Sequence, residues 1–169
     1  TNAEFEPFEY RENGAEVTGF DVEIAKEIAK KLGKELVIED MDFDTLLLAL
    51  SNDKVDFVAA GLTANDERRT QVDFSDTYFR SKQMIIVSAD NTDIQTAEDL
   101  AGKKVGVQLG TTGDLYASMD ETIGSVVQFK TGTLAVMDLK NGQVDAVVID
   151  AEPAKKMTEG QSDLKLLDA

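Results

Sequence analysis

The chain has 169 residues and a formal charge of −16, from 33 Asp and Glu residues against 17 Lys and Arg residues. So acidic a surface repels phosphate backbones, and we expect no nucleic-acid partner. Cysteine and histidine are both absent, which excludes disulfides, thiol chemistry, histidine general bases and most zinc sites. We predict neither a metal nor a cofactor.

The first half of the chain alternates amphipathic helices with short apolar runs. The clearest helix is predicted over 20–33, with Asp21 as its N-cap and Gly33 as its end, because apolar residues recur on one face. The other predicted elements of this half are strands at 36–38, 55–59 and 84–87 and a helix at 44–50.

The second half repeats the alternation. Helices are predicted over 96–100, 112–119, 134–140 and 153–157, and strands over 105–108, 126–129, 144–149 and 164–167. Strands alternating with helices predict an α/β fold built on mostly parallel sheets that helices flank.

Residues 50–58 and 139–147 have similar sequences, each a helix end, a polar turn, then Val-Asp and an apolar strand. Two similar lobes, at 1–88 and 89–169, account for this similarity, although convergence on a common turn is the alternative. Ligands of open α/β sheets bind at the carboxyl ends of strands, so we expect a cleft between the two lobes.

Three candidate residues follow the predicted strand 55–59. Gly61 and Thr63 offer a backbone N–H and a hydroxyl, and Arg68 offers a planar fork suited to a carboxylate. The alternative for Arg68 is a surface side chain paired with a nearby acid, a role that fits Arg69 better.

The second lobe offers a carboxylate and a polar loop. Asp150 follows the strand 144–149 and could accept hydrogen bonds from an ammonium group, or it could instead cap the helix that contains Pro153. Residues 108–113, Gln-Leu-Gly-Thr-Thr-Gly, lie between a strand and a helix, where backbone N–H groups attract an anion.

Two phenylalanines are candidates for the walls of a cleft. Phe5 lies in a stretch of Glu and Pro residues, and Phe43 precedes a predicted helix. Burial in the core is the alternative for both side chains.

Together these residues resemble the type II periplasmic binding proteins of family 3, the polar-amino-acid class. The matching segments are 1–10, 19–22, 41–43, 60–63, 67–68, 72–75, 99–107, 110–112 and 144–147 with Asp150. They cover nearly the whole chain.

The resemblance implies a role for each candidate. Arg68 matches the arginine that clamps the carboxylate of the ligand, and Asp150 matches the acid that accepts from its ammonium group. The remaining matched contacts are Gly61, Thr63, Thr111 and Thr112 to the amino-acid head, Phe5 and Phe43 as walls, and Asn2 and Gln108 at the side-chain end. A neutral Asn2, where binders of cationic side chains often have Asp, favours a polar, uncharged ligand.

The resemblance also implies a biological setting. We expect a non-enzymatic periplasmic or extracellular protein, either soluble or lipid-anchored, that binds a free L-amino acid and delivers it to the permease of an ABC transporter. The family has a strand before Thr1 and segments after Ala169, so lobe 1 is expected to be incomplete and lobe 2 nearly complete. Two alternatives are the sensory domain of a receptor or histidine kinase, and a cyclohexadienyl dehydratase-like enzyme with Glu4 or Asp114 as its acid.

Overall fold

The computed structural model describes residues 1–14 and 16–169, which form two compact units. Unit 1 is Thr1–Arg80 and unit 2 is Ser81–Ala169. The boundary thus follows Arg80 rather than residue 88, because the strand Gln83–Ser88 pairs with strands of unit 2.

Unit 2 is built on a five-stranded sheet in the order β6-β5-β7-β4-β8. The strands are β4 (Gln83–Ser88), β5 (Lys104–Gln108), β6 (Ser125–Phe129), β7 (Ala146–Asp150) and β8 (Leu164–Asp168). β5 is parallel to β6 and β7, but β4 is antiparallel to β7 and β8. The sheet is therefore mixed rather than mostly parallel, since an apolar run predicts a buried strand but not its direction.

Three helices accompany this sheet and confirm the predicted α/β class. They are α4 (Thr112–Met119), α5 (Gly132–Lys140) and α6 (Ala151–Thr158). A 3₁₀ turn occupies Ala97–Leu100. The core combines strand side chains with residues from the turns and helices, including Ile85, Val87, Val105, Val107, Ile94, Leu100 and Ala117. Close packing favours glycine at position 113, because a Cβ there would lie 3.1 Å from the carbonyl oxygen of Val148.

Unit 1 contains three helices and one small sheet among its described residues. The helices are α1 (Phe20–Leu32), α2 (Leu46–Ser51) and α3 (Asp66–Arg69), and a 3₁₀ turn at Phe43–Thr45 precedes α2. The sheet is antiparallel, with strands β1 (Glu4–Phe5), β2 (Glu9–Arg11) and β3 (Val17–Thr18) in sequence order.

The strands predicted at 36–38 and 55–59 are wrong, because neither segment joins a sheet in the described structure. Their apolar composition suits a buried strand, but a strand also needs a neighbour that pairs with its backbone. Residue 1 supplies backbone contacts just after the first of these segments. The Thr1 amine donates to the carbonyl of Glu39 at 2.9 Å, and the Met41 N–H donates to the carbonyl of Thr1 at 3.0 Å.

An open groove of about 500 Å³ lies beside these two segments. Apolar residues of α1 line one side of it, and residues 1, 34–39, 54–57 and 59 line the rest. Leu32 is 66% exposed and Val37 is 71% exposed. Part of the apolar surface of unit 1 is therefore in contact with water.

Helix α1 begins at Phe20 with Gly19 as its N-cap residue, so the prediction that Asp21 is its N-cap is wrong. A Cβ at position 19 would lie 2.3 Å from the carbonyl oxygen of Phe8, which leaves room only for glycine. The predicted end at Gly33 is confirmed, with φ of 64° and its N–H bonded to carbonyls of the last turn. None of the helices in the described residues is both long enough and apolar enough to span a membrane.

Candidate functional site

Three of the predicted residues of unit 1 meet at the guanidinium of Arg68. This side chain is 6% exposed, and its Nη1 donates to the carbonyl oxygen of Thr63 at 2.7 Å. Its guanidinium carbon lies 5.7 Å from the centre of the Phe43 ring, within range of a cation–π contact. Arg68 is thus a buried, oriented cation rather than a surface residue.

Local structure explains why Arg68 and Arg69 differ. Asn65 caps α3 by accepting a hydrogen bond from the backbone N–H of Arg68 at 2.8 Å. The turn of helix that follows buries Arg68 and leaves Arg69 exposed, with its guanidinium carbon 5.3 Å from the Phe74 ring centre. The prediction that Arg69 is the solvated residue of the pair is confirmed.

A buried aspartate holds the loop that contains Gly61. Gly61 has φ of 53°, and its N–H donates to Asp21 Oδ2 at 2.7 Å. A Cβ on Gly61 would lie 3.2 Å from the Phe5 ring, so Gly61 and Phe5 are neighbours. Positive φ and close approach to the ring both favour glycine here.

Phe5 and Asn2 are both buried inside unit 1. Phe5 is 8% exposed and its ring centre is 6.2 Å from that of Phe8. Asn2 is 6% exposed, and its Nδ2 donates to the carbonyl of Met41 at 3.0 Å. Each side chain therefore supports a segment that carries another candidate, Phe5 under Gly61 and Asn2 beside Phe43, and contact with a ligand remains a prediction.

The predicted polar loop of unit 2 lies between β5 and α4, as expected. Thr111 caps α4: its Oγ1 accepts from the Asp114 N–H at 3.3 Å and donates to the carbonyl of Gln108 at 2.7 Å. Thr112 is the first residue of the helix and is half-buried. Gln108 is buried, with Nε2 donating to the carbonyl of Lys130 at 3.2 Å.

A second buried aspartate holds this loop. Asp114 Oδ2 accepts the Gly110 N–H at 2.8 Å, and its Oδ1 accepts from Ser118 and Gln128, each at 2.9 Å. Gly110 has φ of 76°. Asp114 is thus fully engaged in holding the loop, and Glu4, the other candidate acid, is exposed.

The two units therefore use one device, in which a buried carboxylate accepts the N–H of a glycine with positive φ. Sequence reasoning assigned Asp21 to a cap and missed its role. One signal was available: Asp21 shares the buried face of α1 with Ala25 and Ala29, at helical spacing. A carboxylate among apolar positions of a helix indicates a buried partner.

Asp150 is the last residue of β7 and stands opposite Gln83 in β4. It is half-buried and precedes α6, but its side chain does not bond the backbone of that helix. Asp150 is therefore the N-cap residue of α6 by position, as the capping alternative expected, but without a side-chain cap hydrogen bond. Within residues 1–14 and 16–169 no cluster of His, Cys, Asp or Glu side chains is arranged to hold a metal.

The chain resembles known binding proteins along nearly its whole length. The family described as bacterial extracellular solute-binding proteins, family 3, matches residues 1–156. The arginine-binding extracellular protein ArtP of Bacillus subtilis is 40% identical over 170 residues, which cover 98% of this chain and 65% of ArtP. A probable histidine-binding protein of Campylobacter jejuni is 40% identical over 155 residues, which cover 92% of this chain and 60% of that protein.

Solved structures agree with this result. The structure of holo ArgBP from T. maritima matches with a TM-score of 0.95 at 43% identity, covering 99% of this chain and 74% of ArgBP. The chain spans less than two thirds of the length of the two curated relatives. Its family and α/β fold are those that the motifs indicated: the chain belongs to the bacterial extracellular solute-binding proteins of family 3.

Proposed function

We propose that this chain binds a free amino acid with a cationic side chain, arginine first, and delivers it to the permease of an ABC transporter. Proteins of this family are extracellular, and we place the binding step outside the cytoplasm. A lipid anchor and a role in a sensory receptor both depend on sequence that flanks such a domain, so binding is the activity to test.

The orientation of the Arg68 guanidinium carries this proposal. A guanidinium presents five N–H donors in a rigid planar fork, which matches the two oxygens of a carboxylate. The Thr63 carbonyl and the Phe43 ring hold this fork in a buried position. We infer that Arg68 binds the α-carboxylate of the ligand, with the backbone N–H groups of the Gly61 loop nearby.

Asp150 is our candidate for the α-ammonium group. It lies at the carboxyl end of a buried strand, where ligands of α/β sheets bind. A carboxylate accepts hydrogen bonds only, and an ammonium group donates only. Thr112, at the start of α4, adds a backbone N–H and a hydroxyl near a helix N-terminus.

The identity of the side chain rests on the relatives. Two relatives at 40% identity are named for arginine and for histidine, and these names do not support the uncharged ligand that Asn2 suggested. The formal charge of −16 also favours a cation, because an acidic surface raises the local concentration of positive ligands. Arginine is therefore the first ligand to test, with histidine and glutamine as competitors.

Calorimetric titration with arginine tests the proposal, using Arg68→Ala and, as a matched control, Arg69→Ala. We expect Arg68→Ala to weaken binding by about 3–5 kcal/mol, because the ligand carboxylate would lose its buried partner. The neighbouring arginine is exposed, so its removal should cost less than about 1 kcal/mol. A loss of less than tenfold for Arg68→Ala would refute the assignment.

The same titration with Asp150→Asn tests the partner of the ammonium group. Asp163→Asn is its control, since Asp163 is an exposed acid paired with Lys140 at 3.2 Å. We expect Asp150→Asn alone to lose affinity. Equal affinities for the two variants would remove Asp150 from the site.

Binding without turnover is part of the proposal. The relatives reported above are named as binding proteins, and Asp114 already accepts three hydrogen bonds. Incubation with prephenate or arogenate should leave both compounds unchanged by mass spectrometry. Conversion of either compound would favour the dehydratase alternative.

A further inference from the structure

Two carboxyl groups lie buried together beneath the Gly61 loop. Glu9 in β2 and Asp21 in α1 are both 0% exposed. Asp21 Oδ2 accepts from the Gly61 N–H at 2.7 Å and from the Tyr78 hydroxyl at 2.9 Å. Three carboxyl oxygens remain without a donor among the described residues, namely Glu9 Oε1, Glu9 Oε2 and Asp21 Oδ1.

Adding one proton to this pair removes two costs at once. Two adjacent buried carboxylates repel each other, and a buried oxygen without a donor loses its hydration. A single proton cancels one charge and supplies a donor for an oxygen that lacks one. Buried carboxyl pairs commonly share a proton for this reason.

The donors decide which group carries the proton. Asp21 receives two hydrogen bonds at Oδ2, which favour its anionic form. Burial, followed by the charge of Asp21, raises the pKa of Glu9 to about 10. The positive charge of the Thr1 amine acts in the opposite direction and lowers the pKa of Glu9. Burial in turn lowers the pKa of the Thr1 amine itself. Burial also raises the pKa of Tyr78, so its hydroxyl remains a donor.

The pair contacts the loop directly. A Cβ on Gly61 would lie 3.8 Å from Glu9 Oε1, in addition to its contact with the Phe5 ring. Gly61 therefore lies beside Glu9 and Phe5, and its N–H donates to Asp21. A second negative charge at this place would lie beside the loop and would repel the Asp21 carboxylate that accepts the Gly61 N–H.

We propose that Glu9 is a positioning residue, which as a neutral acid donates its proton to Asp21 and thereby fixes the Gly61 loop for ligand binding. The ligand part of this inference rests on the proposed function. The protonation of Glu9 does not rest on the proposed function, because the proton resides on Glu9 whether or not a ligand binds.

Infrared spectroscopy of the chain with ¹³C-labelled glutamate tests the proton directly. We expect a protonated-carboxyl band at pH 7 that disappears in Glu9→Gln and persists in Glu4→Gln, an exposed acid on the neighbouring strand. In the unmodified chain the band should titrate near pH 10. Absence of the band at pH 7 in the folded, unmodified chain would overturn the proposal, and this outcome requires no variant to fold.

Arginine titration of the variants tests the positioning role. Glu9→Leu removes the donor and should weaken binding by about tenfold or more, the size of one hydrogen bond to a charged group. Glu9→Gln keeps a neutral donor and should restore most of that loss. In addition, the affinity of Glu9→Gln relative to that of the unmodified chain should rise between pH 8 and 10, because only the unmodified chain has a carboxyl group at position 9 that ionises there.

The outcomes separate the two proposals. If arginine does not bind but the infrared band is present, the proposed ligand fails and the protonation of Glu9 stands. If arginine binds and Glu9→Leu matches the unmodified chain at every pH, the positioning role fails and the proposed function stands.

Discussion

Residues 52–59 of unit 1 and 141–150 of unit 2 begin with the same turn and end differently. Asn52 and Asn141 follow the helices, and the next residues, Asp53 and Gly142, have φ of 54° and 66°. One residue later, Lys54 and Gln143 each donate a backbone N–H to the carbonyl five residues earlier in the chain, at 3.0 and 2.8 Å. Yet 146–150 becomes the buried strand β7, whereas 55–59 joins no sheet in the described structure.

The difference lies in the neighbours and not in the turn. β7 pairs with both β5 and β4, and Asp145 strengthens the entry by accepting the Lys104 N–H at 2.7 Å. The equivalent stretch of unit 1 borders the groove described above, where Phe57 is 36% exposed. A turn forms from local hydrogen bonds, but a strand requires a partner along its edge.

Hydrogen exchange should show the largest consequence of this comparison. We expect the amides of 85–87 and 147–148 to exchange on the order of a thousandfold more slowly than those of 36–38 and 57–59, because only the former lie in a paired, buried sheet. Exchange measured by NMR or mass spectrometry checks this. Equal protection of the two sets would mean that unit 1 has a paired sheet in solution.

The stability of the two units should depend differently on pH. A raised pKa for Glu9 means that the folded chain binds a proton that the unfolded chain has released. Its contribution to stability is complete below pH 4.5 and is lost as the pH rises to about 10. The free energy of unfolding of unit 1 should fall by roughly 1.4 kcal/mol per pH unit in this window.

Urea denaturation at pH 6, 7 and 8 measures this slope, and Glu9→Gln should remove it. Among the described residues of unit 2, Asp114 is the only buried acid, and it accepts three hydrogen bonds, so the transition of unit 2 should change less. A slope that survives in Glu9→Gln would assign the pH dependence to another group.

The turns themselves should give the smallest effect. Gly142→Ala places a Cβ at positive φ with no atom within 4 Å, so the cost is backbone strain of about 1 kcal/mol. Asp53→Gly should relieve the same strain in unit 1 and stabilise it by less than about 1 kcal/mol. Thermal unfolding of the two variants measures both changes in stability. A destabilising Asp53→Gly would show that the Asp53 side chain contributes more than its backbone costs.

Much of unit 2 could be predicted from the sequence. Helix α4 lies at 112–119 as expected, and the strands near 105–108 and 126–129 are within one residue of their predicted bounds. The predicted candidates Thr111 and Asp150 lie at strand-to-helix junctions. These features follow from local apolar spacing and caps, which neighbouring residues determine.

The same reasoning failed where a distant contact decides the structure. Asp21 carries the local signals of a helix cap, but it is buried because Gly61 and Tyr78, far along the chain, supply its donors. Glu9 reads as an ordinary charged residue in a hairpin, and only the fold places it beside Asp21.

By itself, the sequence of this protein determined its family, its alternation of helices and strands, and the residue types available to bind a zwitterion. Tertiary structure alone decided which carboxyl groups are buried, which arginine is oriented, and which apolar run becomes a strand. Short-range spacing governs the first group of properties, whereas burial and hydrogen-bond pairing depend on residues that are close only after folding.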